Sequence, residues 1–388
     1  MGEVVAGLDV VASGSGGSVG VGSGGSVVVG SGGGGGRVVF VFPGQGWHWV
    51  GVGAVLLGES GVFFESMVEC GRALSGFVDW DLLEVVRGGG GGLWGRVDVV
   101  QPVCWAVMVS LARLWMSVGV VPDGVVGHSQ GEVAAAVVAG VLSVVEGARV
   151  VAVRSRLIGE VLVGGGGMVS VGLGVGVVEE RLVRWGGRLC VAAVNGPLLT
   201  VVSGDVGAVE GFVGECEREG VWVRRVAVDY ASHSGLVEVL EERLVGLLGG
   251  LCPGRGWVPF YSSVVGGVVD GGVLDGGYWY RNLRERVLFS EVVEGLVGEG
   301  FSGFVECSGH PVLVGGVWDV VGGVEGLRPV VVGSLVRGDG GWGRFLRSVG
   351  EAFVGGVGVD WGVVFAGSGA RRVDVPTYPF QRRHYWAP

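Results

Sequence analysis

The sequence predicts an α/β protein in two parts, a large unit and a small unit inserted into it, and three stretches predict this. Val38-Val39-Phe40-Val41-Phe42 is an unbroken β-branched and aromatic run, suited to a strand buried on both faces, and it enters Pro43-Gly44-Gln45-Gly46-Trp47. Val125-Val126 leads into Gly127-His128-Ser129-Gln130-Gly131, and an Ala/Val-rich segment follows to Leu142, so strand, sharp turn and helix come in succession with Ser129 at the turn. Residues 168–227 then read β-α-β-β-α-β, the ferredoxin-like order. The expected architecture is a large α/β-hydrolase-like unit over residues 37–163 and 228–369, with a small ferredoxin-like unit over 164–227.

Composition sets the bounds. The 388 residues suffice for a large core. Hydrophobic residues make up 49% and charged residues only 16%, and the 85 glycines follow no collagen-like period. All 27 basic residues are Arg, which points to a coding bias and weakens any motif resting on Gly alone. The net charge is −10 and no basic stripe stands out, so nucleic acid is not an expected partner. The six cysteines are far apart and suit buried free thiols in a reducing cytosol better than disulfides or zinc. No signal peptide is read at Met1-Gly2-Glu3, and no apolar run argues for a membrane span, so the expected location is the cytoplasm.

Along the chain, residues 1–36 are Gly/Ser-rich and read as a flexible linker. Order is expected from Arg37. Residues 54–86 look helical, with Phe63, Phe64, Met67 and Leu74 as core candidates. Pro102 can start a helix from Val103 to Val118, with Gln101 at its entrance. After the Ser129 turn a helix is expected over 144–161, carrying Arg154 and Arg156, and a solvated face is the ordinary fate of such arginines. In the small unit, strands are expected at 168–171, 189–194, 198–202 and 221–226, with helices at 177–185 and 207–218. Val228-Asp229-Tyr230-Ala231-Ser232-His233 returns the chain to the large unit. A helix at 236–248, a strand at 258–264, a helix at 289–298, strands at 301–306 and 330–335, and a helix at 341–354 complete it. Residues 370–388, aromatic and basic from Pro376 to Trp386, read as a C-terminal linker lying across a surface.

The chemistry starts at Ser129. A hydroxyl is a weak nucleophile until a base takes its proton, and only five histidines are available. His233 is the first candidate base, and His310, in a loop, is the second. His128 is expected to point away from its neighbour. A backbone N–H at the start of the helix after Ser129 can stabilise a developing oxyanion. A plain structural turn with an incidental serine would carry the same pentapeptide. An α/β-hydrolase should show Ser, then an acid, then a His near the C-terminus; here no acid stands out and His233 lies mid-chain.

The combination of Pro43-Gly44-Gln45-Gly46, Gly127-His128-Ser129-Gln130-Gly131-Glu132, Arg154-Ser155-Arg156, Asn195-Gly196-Pro197 and Tyr230-Ala231-Ser232-His233, in this order, resembles the malonyl-CoA:acyl carrier protein transacylases, above all the acyltransferase domains of modular polyketide synthases. The resemblance covers residues 37–388. It implies Ser129 as nucleophile, His233 as general base and acid in a dyad, the backbone N–H groups of Gln45 and Gln130 as oxyanion hole, and Arg154 as partner of a substrate carboxylate. It implies that Gln101, Gln130, Tyr230 and Ser232 line the specificity pocket, and that residues 370–388 are the linker that follows such domains. Acyl-CoA would be the donor and the phosphopantetheine thiol of an acyl carrier protein the acceptor, with no metal or redox cofactor and with a ketosynthase and other synthase domains as neighbours. Arg96 to Gln101, Gln130 after the nucleophile and Tyr230-Ala231-Ser232-His233 together look like the methylmalonyl-selective class, with malonyl or a bulkier 2-substituted malonyl unit as alternatives. A serine hydrolase or thioesterase, and a non-catalytic scaffold domain, are the competing readings.

Overall fold

Alternation along two central strands explains how the large unit is layered. In the computed structural model, which describes residues 36–89 and 91–371 and the backbone of 10–12 and 28–30, Arg37–Phe42 forms a strand with Val38, Phe40 and Phe42 on one face and Val39 and Val41 on the other. Both faces are covered, as an unbroken apolar run requires. Two short parallel strands precede it, β1 (Val10–Ala12) and β2 (Val28–Gly30), so the stretch expected to be a linker contains paired backbone where Val residues interrupt the Gly/Ser tract.

Arg37–Phe42 is β3. With β4 (Gly124–Gly127), β9 (Phe260–Ser262), β10 (Gly267–Val269), β11 (Phe301–Glu306) and β12 (Val330–Gly333) it makes a six-stranded sheet in the order β10-β9-β4-β3-β11-β12. All neighbours are parallel except the edge strand β10. From β3 the chain first builds outward through β4 and later returns to the other side as β11. The loops after β3 and β4 therefore open into the crevice at this reversal, the usual ligand position in such sheets.

The small unit has β5 (Gly166–Val171), β6 (Leu189–Gly196), β7 (Leu199–Asp205) and β8 (Val223–Arg225) in the antiparallel order β6-β7-β5-β8. The helices Val175–Leu182 and Val206–Arg218 bury Val178, Leu182, Val209, Phe212 and Val213 against one face. The opposite face presents Ala192, Ala193 and Val201 to the core shared with the Phe289–Gly298 and Val314–Val321 helices of the large unit. The α/β architecture with an inserted ferredoxin-like unit is thus as expected from the sequence.

Local departures have identifiable causes. The central helix runs Val97–Ser117 and starts six residues before the expected Val103, with Pro102 inside it; the proline has no N–H to give the Asp98 carbonyl, a single lost bond that a buried helix tolerates. This helix is long and apolar enough to cross a membrane by length and composition, contrary to the sequence reading, but it is a buried core helix packed against its neighbours. Residues 54–86 break into three helices, Ala54–Glu59, Gly61–Leu74 and Leu82–Val86, at the N-caps Ser60 and Asp81. Phe63, Met67 and Leu74 are buried, but Phe64 is 37% exposed because it lies one position off the buried stripe. Four cysteines are buried, Cys190 is half-buried and Cys252 is exposed, so the expectation of uniformly buried thiols does not hold. The Gly276–Arg284 helix was not anticipated; its Tyr-Trp-Tyr segment reads locally as strand. The residues of the C-terminal linker from 372 onward lie outside the described residues.

Candidate active site

The turn after β4 forces Ser129 out of the strand. Its φ is +54°, a left-handed conformation that costs energy in any residue with a side chain. The flanking glycines make the turn possible by close approach: a Cβ on Gly127 would lie 2.2 Å from the Glu132 nitrogen, and one on Gly131 would lie 1.9 Å from the Phe42 carbonyl oxygen. The helix Gly131–Val138 begins at once, with Gln130 as N-cap. Neither the Gln130 nor the Gln45 backbone N–H makes a hydrogen bond to a protein acceptor among the described residues. Both residues line the same cavity as Ser129.

Ser129 Oγ lies 2.8 Å from His233 Nε2. His233 Nδ1 lies 2.7 Å from the Glu285 carbonyl oxygen, which can only accept. The proton is therefore on Nδ1, and Nε2 is the bare nitrogen that accepts the hydrogen bond of the Ser129 hydroxyl. A backbone carbonyl occupies the place an acid would take in a triad. Burial, and next the Arg154 guanidinium, push the His233 pKa down to about 3, so the ring is neutral.

Arg154 is the unusual charge. It projects from the Val144–Val161 helix, which is started by the Ser143–Glu146 capping box, and is 1% exposed. Nη2 donates to Ser129 Oγ at 3.3 Å, while Nε and Nη1 are buried without a partner. Burial lowers its pKa to about 10, which still leaves it charged near neutrality. Arg156, two residues on, is exposed and meets Glu160. The ordinary solvated fate holds for one of the two arginines and fails for the other.

These groups line a cavity of about 260 Å³ between the two units, together with Gln101, Tyr230, Ser232, Asn195 and His128. Tyr230 Oη donates to Gln45 Oε1 and accepts from Gln101 Nε2 at 3.1 Å. Gln45 and Tyr230 also border a larger groove of about 1010 Å³, so this bridge stands between the two spaces. Ser232 takes part through its carbonyl, which accepts from Ser203 Oγ at 2.6 Å. Gln101 Oε1 and both side-chain polar atoms of Gln130 are buried and unpartnered.

Two histidines depart from expectation. His128 lines the cavity, because its Nε2 is held 2.8 Å from Asn195 Oδ1 on β6. His310 does not orient the site: its Nδ1 accepts from the Arg337 backbone at 3.3 Å, away from the dyad. The sequence reading also missed Glu132, Asn282 and Glu285. Glu132 belonged to the quoted motif, and its apolar surroundings were the available signal of burial. Nothing in the sequence marks Glu285, which acts through its carbonyl.

Residues 39–359 match the acyl transferase domain family. The chain is 53% identical over 352 residues to the spectinabilin polyketide synthase system protein NorA' of Streptomyces orinoci, covering 90% of this chain and 10% of that protein. It is 48% identical over 352 residues to the pikromycin polyketide synthase component PikAIII of Streptomyces venezuelae, covering 90% of this chain and 22% of that protein. The chain thus spans only a minor part of these multidomain relatives. The crystal structure of the acyltransferase domain from module 8 of the salinomycin polyketide synthase superposes with a TM-score of 0.82 at 49% identity, over 84% of this chain and 77% of that one. The chain belongs to the acyl transferase family, together with the acyltransferase domains of polyketide synthases.

Proposed function

We propose that this domain moves a 2-carboxyacyl group from coenzyme A to the phosphopantetheine thiol of an acyl carrier protein through an ester on Ser129. The observation that carries the reading is Arg154, a buried guanidinium with two unpartnered nitrogens, 3.3 Å from the nucleophile. A buried cation without a direct ion-pair partner is costly, and a planar fork is suited to bidentate binding of a carboxylate. A malonyl-type group supplies that carboxylate.

In the first half-reaction His233 Nε2 takes the Ser129 proton as Oγ attacks the thioester carbonyl. The carbonyl oxygen becomes the oxyanion facing the Gln45 and Gln130 N–H groups. The C–S bond then breaks, and His233 returns the proton to the departing sulfur. In the second half the carrier thiol gives its proton to His233 and attacks the ester, and Ser129 recovers its proton as the leaving group. No metal or redox step is required. A malonyl-transacylase of this fold, 27% identical with a TM-score of 0.67, has been solved with its type II polyketide synthase acyl-carrier protein, which supports a carrier protein as the acceptor. A ketosynthase and further synthase domains would be neighbours in a chain like those of the relatives.

Methylmalonyl is the proposed extender unit. The Tyr230 bridge to Gln101 and Gln45 at the border of the 260 Å³ cavity supports a small extender unit. A bulkier 2-substituted unit is the second reading, favoured by the groove on the other side of that bridge. The test is the intact mass of the protein after exposure to equal malonyl-, methylmalonyl- and ethylmalonyl-CoA, with Ser129→Ala as control. A Ser129-dependent methylmalonyl adduct is expected. Another adduct refutes the substrate assignment. Release of free CoA with no adduct refutes the transferase in favour of a hydrolase.

A further inference from the structure

We infer that Asn282 is a positioning residue for Ser129 and His233, its amide held in the donating orientation jointly by the Glu132 carboxylate and the Ser129 carbonyl. The inference rests on the dyad proposed above.

Glu132 is wholly buried, one turn beyond Ser129. Oε1 accepts from the Ser263 N–H at 2.5 Å and from Ser263 Oγ at 2.8 Å. Oε2 accepts from Tyr278 Oη at 2.6 Å and from Asn282 Nδ2 at 2.8 Å. Burial pushes the carboxyl up, and these donors pull it back. With donors on both oxygens the group is an acceptor only. Asn282 must therefore turn its NH₂, not its oxygen, toward Glu132.

The second hydrogen of that NH₂ goes to the Ser129 carbonyl, 3.1 Å from Nδ2. Asn282 Oδ1 is buried without a partner, so its own oxygen does not choose the orientation. A flipped amide would set oxygen against oxygen on both sides. The Glu132 carboxylate and the Ser129 carbonyl, acceptors on either side, thus together hold Asn282 as the donor that links them.

The same few residues hold the base. The Leu283 carbonyl accepts from the His233 N–H at 2.9 Å, and the Glu285 carbonyl accepts from His233 Nδ1 at 2.7 Å. The end of the Gly276–Arg284 helix therefore contacts the nucleophile's backbone, the base's backbone and the base's ring. Ser129 and His233 both have left-handed φ, a conformation that persists only where the surroundings enforce it. A shift of this helix end changes the Oγ–Nε2 geometry from both sides, and a misplacement of about 1 Å can cost about 100-fold in rate.

The test uses saturation kinetics of a fluorophosphonate at Ser129, alongside thermal midpoints. Asn282→Ala should lower the maximal inactivation rate by about 10–100-fold with the half-saturating probe concentration unchanged. Glu132→Gln, which keeps its oxygen on the Ser263 N–H and so sets an NH₂ against that of Asn282, should lower it comparably without touching the Ser129 side chain. Ser110→Ala, which breaks the buried Ser110–Ser66 hydrogen bond elsewhere in the large unit, should lower the midpoint and leave the rate at the wild-type value. An undiminished rate in folded Asn282→Ala overturns the inference, as does a rate in Ser110→Ala that falls in step with its midpoint. If Asn282→Ala does not fold, Glu132→Gln decides by the same criterion. A wild-type protein that the probe does not label at Ser129 refutes the dyad itself, and the inference with it.

Discussion

Ser129 and His233, 104 residues apart in the chain, meet at 2.8 Å, and among the described residues they are the only non-glycine positions with left-handed φ, +54° and +59°. Strain confined to two residues that share a hydrogen bond marks a place where the fold holds chemistry in position. Under the proposed mechanism, His233→Gln removes the base while leaving the cavity. It should lower the rate of Ser129 acylation by about 10²–10⁴-fold, and stopped-flow or quenched intact-mass kinetics would measure it.

The depressed His233 pKa also sets a stability window. The unfolded ring takes a proton near the ordinary value of 6.5, while the folded ring resists it down to about 3. Protons are therefore bound more by the unfolded chain between these values, and stability present above pH 6.5 is lost as pH falls through the window. At pH 5 His233 alone should cost about 2 kcal/mol. His128, also lowered by burial, acts in the same direction. Urea midpoints at pH 7.5 and 5 would check this; equal midpoints would count against a buried neutral His233.

Arg154→Ala should turn preference away from carboxylated acyl-CoA toward uncharged acyl-CoA. A charged hydrogen-bonded contact is worth about 1.5–3 kcal/mol, so the ratio of methylmalonyl to propionyl loading should fall by about 10–150-fold. Arg154→Lys should recover only part of it, because an ammonium lacks the fork. Unchanged relative loading in the alanine variant would remove Arg154 from the carboxylate site.

Replacing Tyr230-Ala231-Ser232 by His-Ala-Phe breaks the bridge through Tyr230 Oη between Gln101 and Gln45. The expected result is a gain in malonyl over methylmalonyl loading of at most about 10–200-fold, the range open to discrimination by one methyl. Competition between the two CoA esters, read by mass, would reveal it. A ratio that does not move would place specificity elsewhere.

Gly131→Ala should destabilise the protein by more than about 3 kcal/mol, because its Cβ would meet the Phe42 carbonyl at 1.9 Å and only backbone can yield. Gly176→Ala is the contrast. It lies in the Val175–Leu182 helix with open space around its Cβ, and should be neutral or stabilising by about 0.5–1 kcal/mol. Chemical denaturation of both variants gives the comparison.

The elements with a strong local signature were legible. The apolar run at 38–42, the 144–161 helix and the β-α-β-β-α-β order all carry their pattern in consecutive residues. The Gly276–Arg284 helix was not legible, because its aromatic residues favour strand locally and its buried stripe appears only when Tyr278 and Asn282 find Glu132.

By itself the sequence determined which residues could act: a serine between glycines after a strand, five histidines, an arginine pair and a run of Tyr-Ala-Ser-His. Those are covalent facts, and the strained turn follows from them within a few residues. The tertiary structure decided which histidine meets the serine, which of Arg154 and Arg156 is stripped of water, and that a backbone carbonyl at Glu285 replaces a side-chain acid. These depend on contacts between segments far apart in the chain and on desolvation. Neither is encoded in any local pattern; both arise only when the two units close around the cavity.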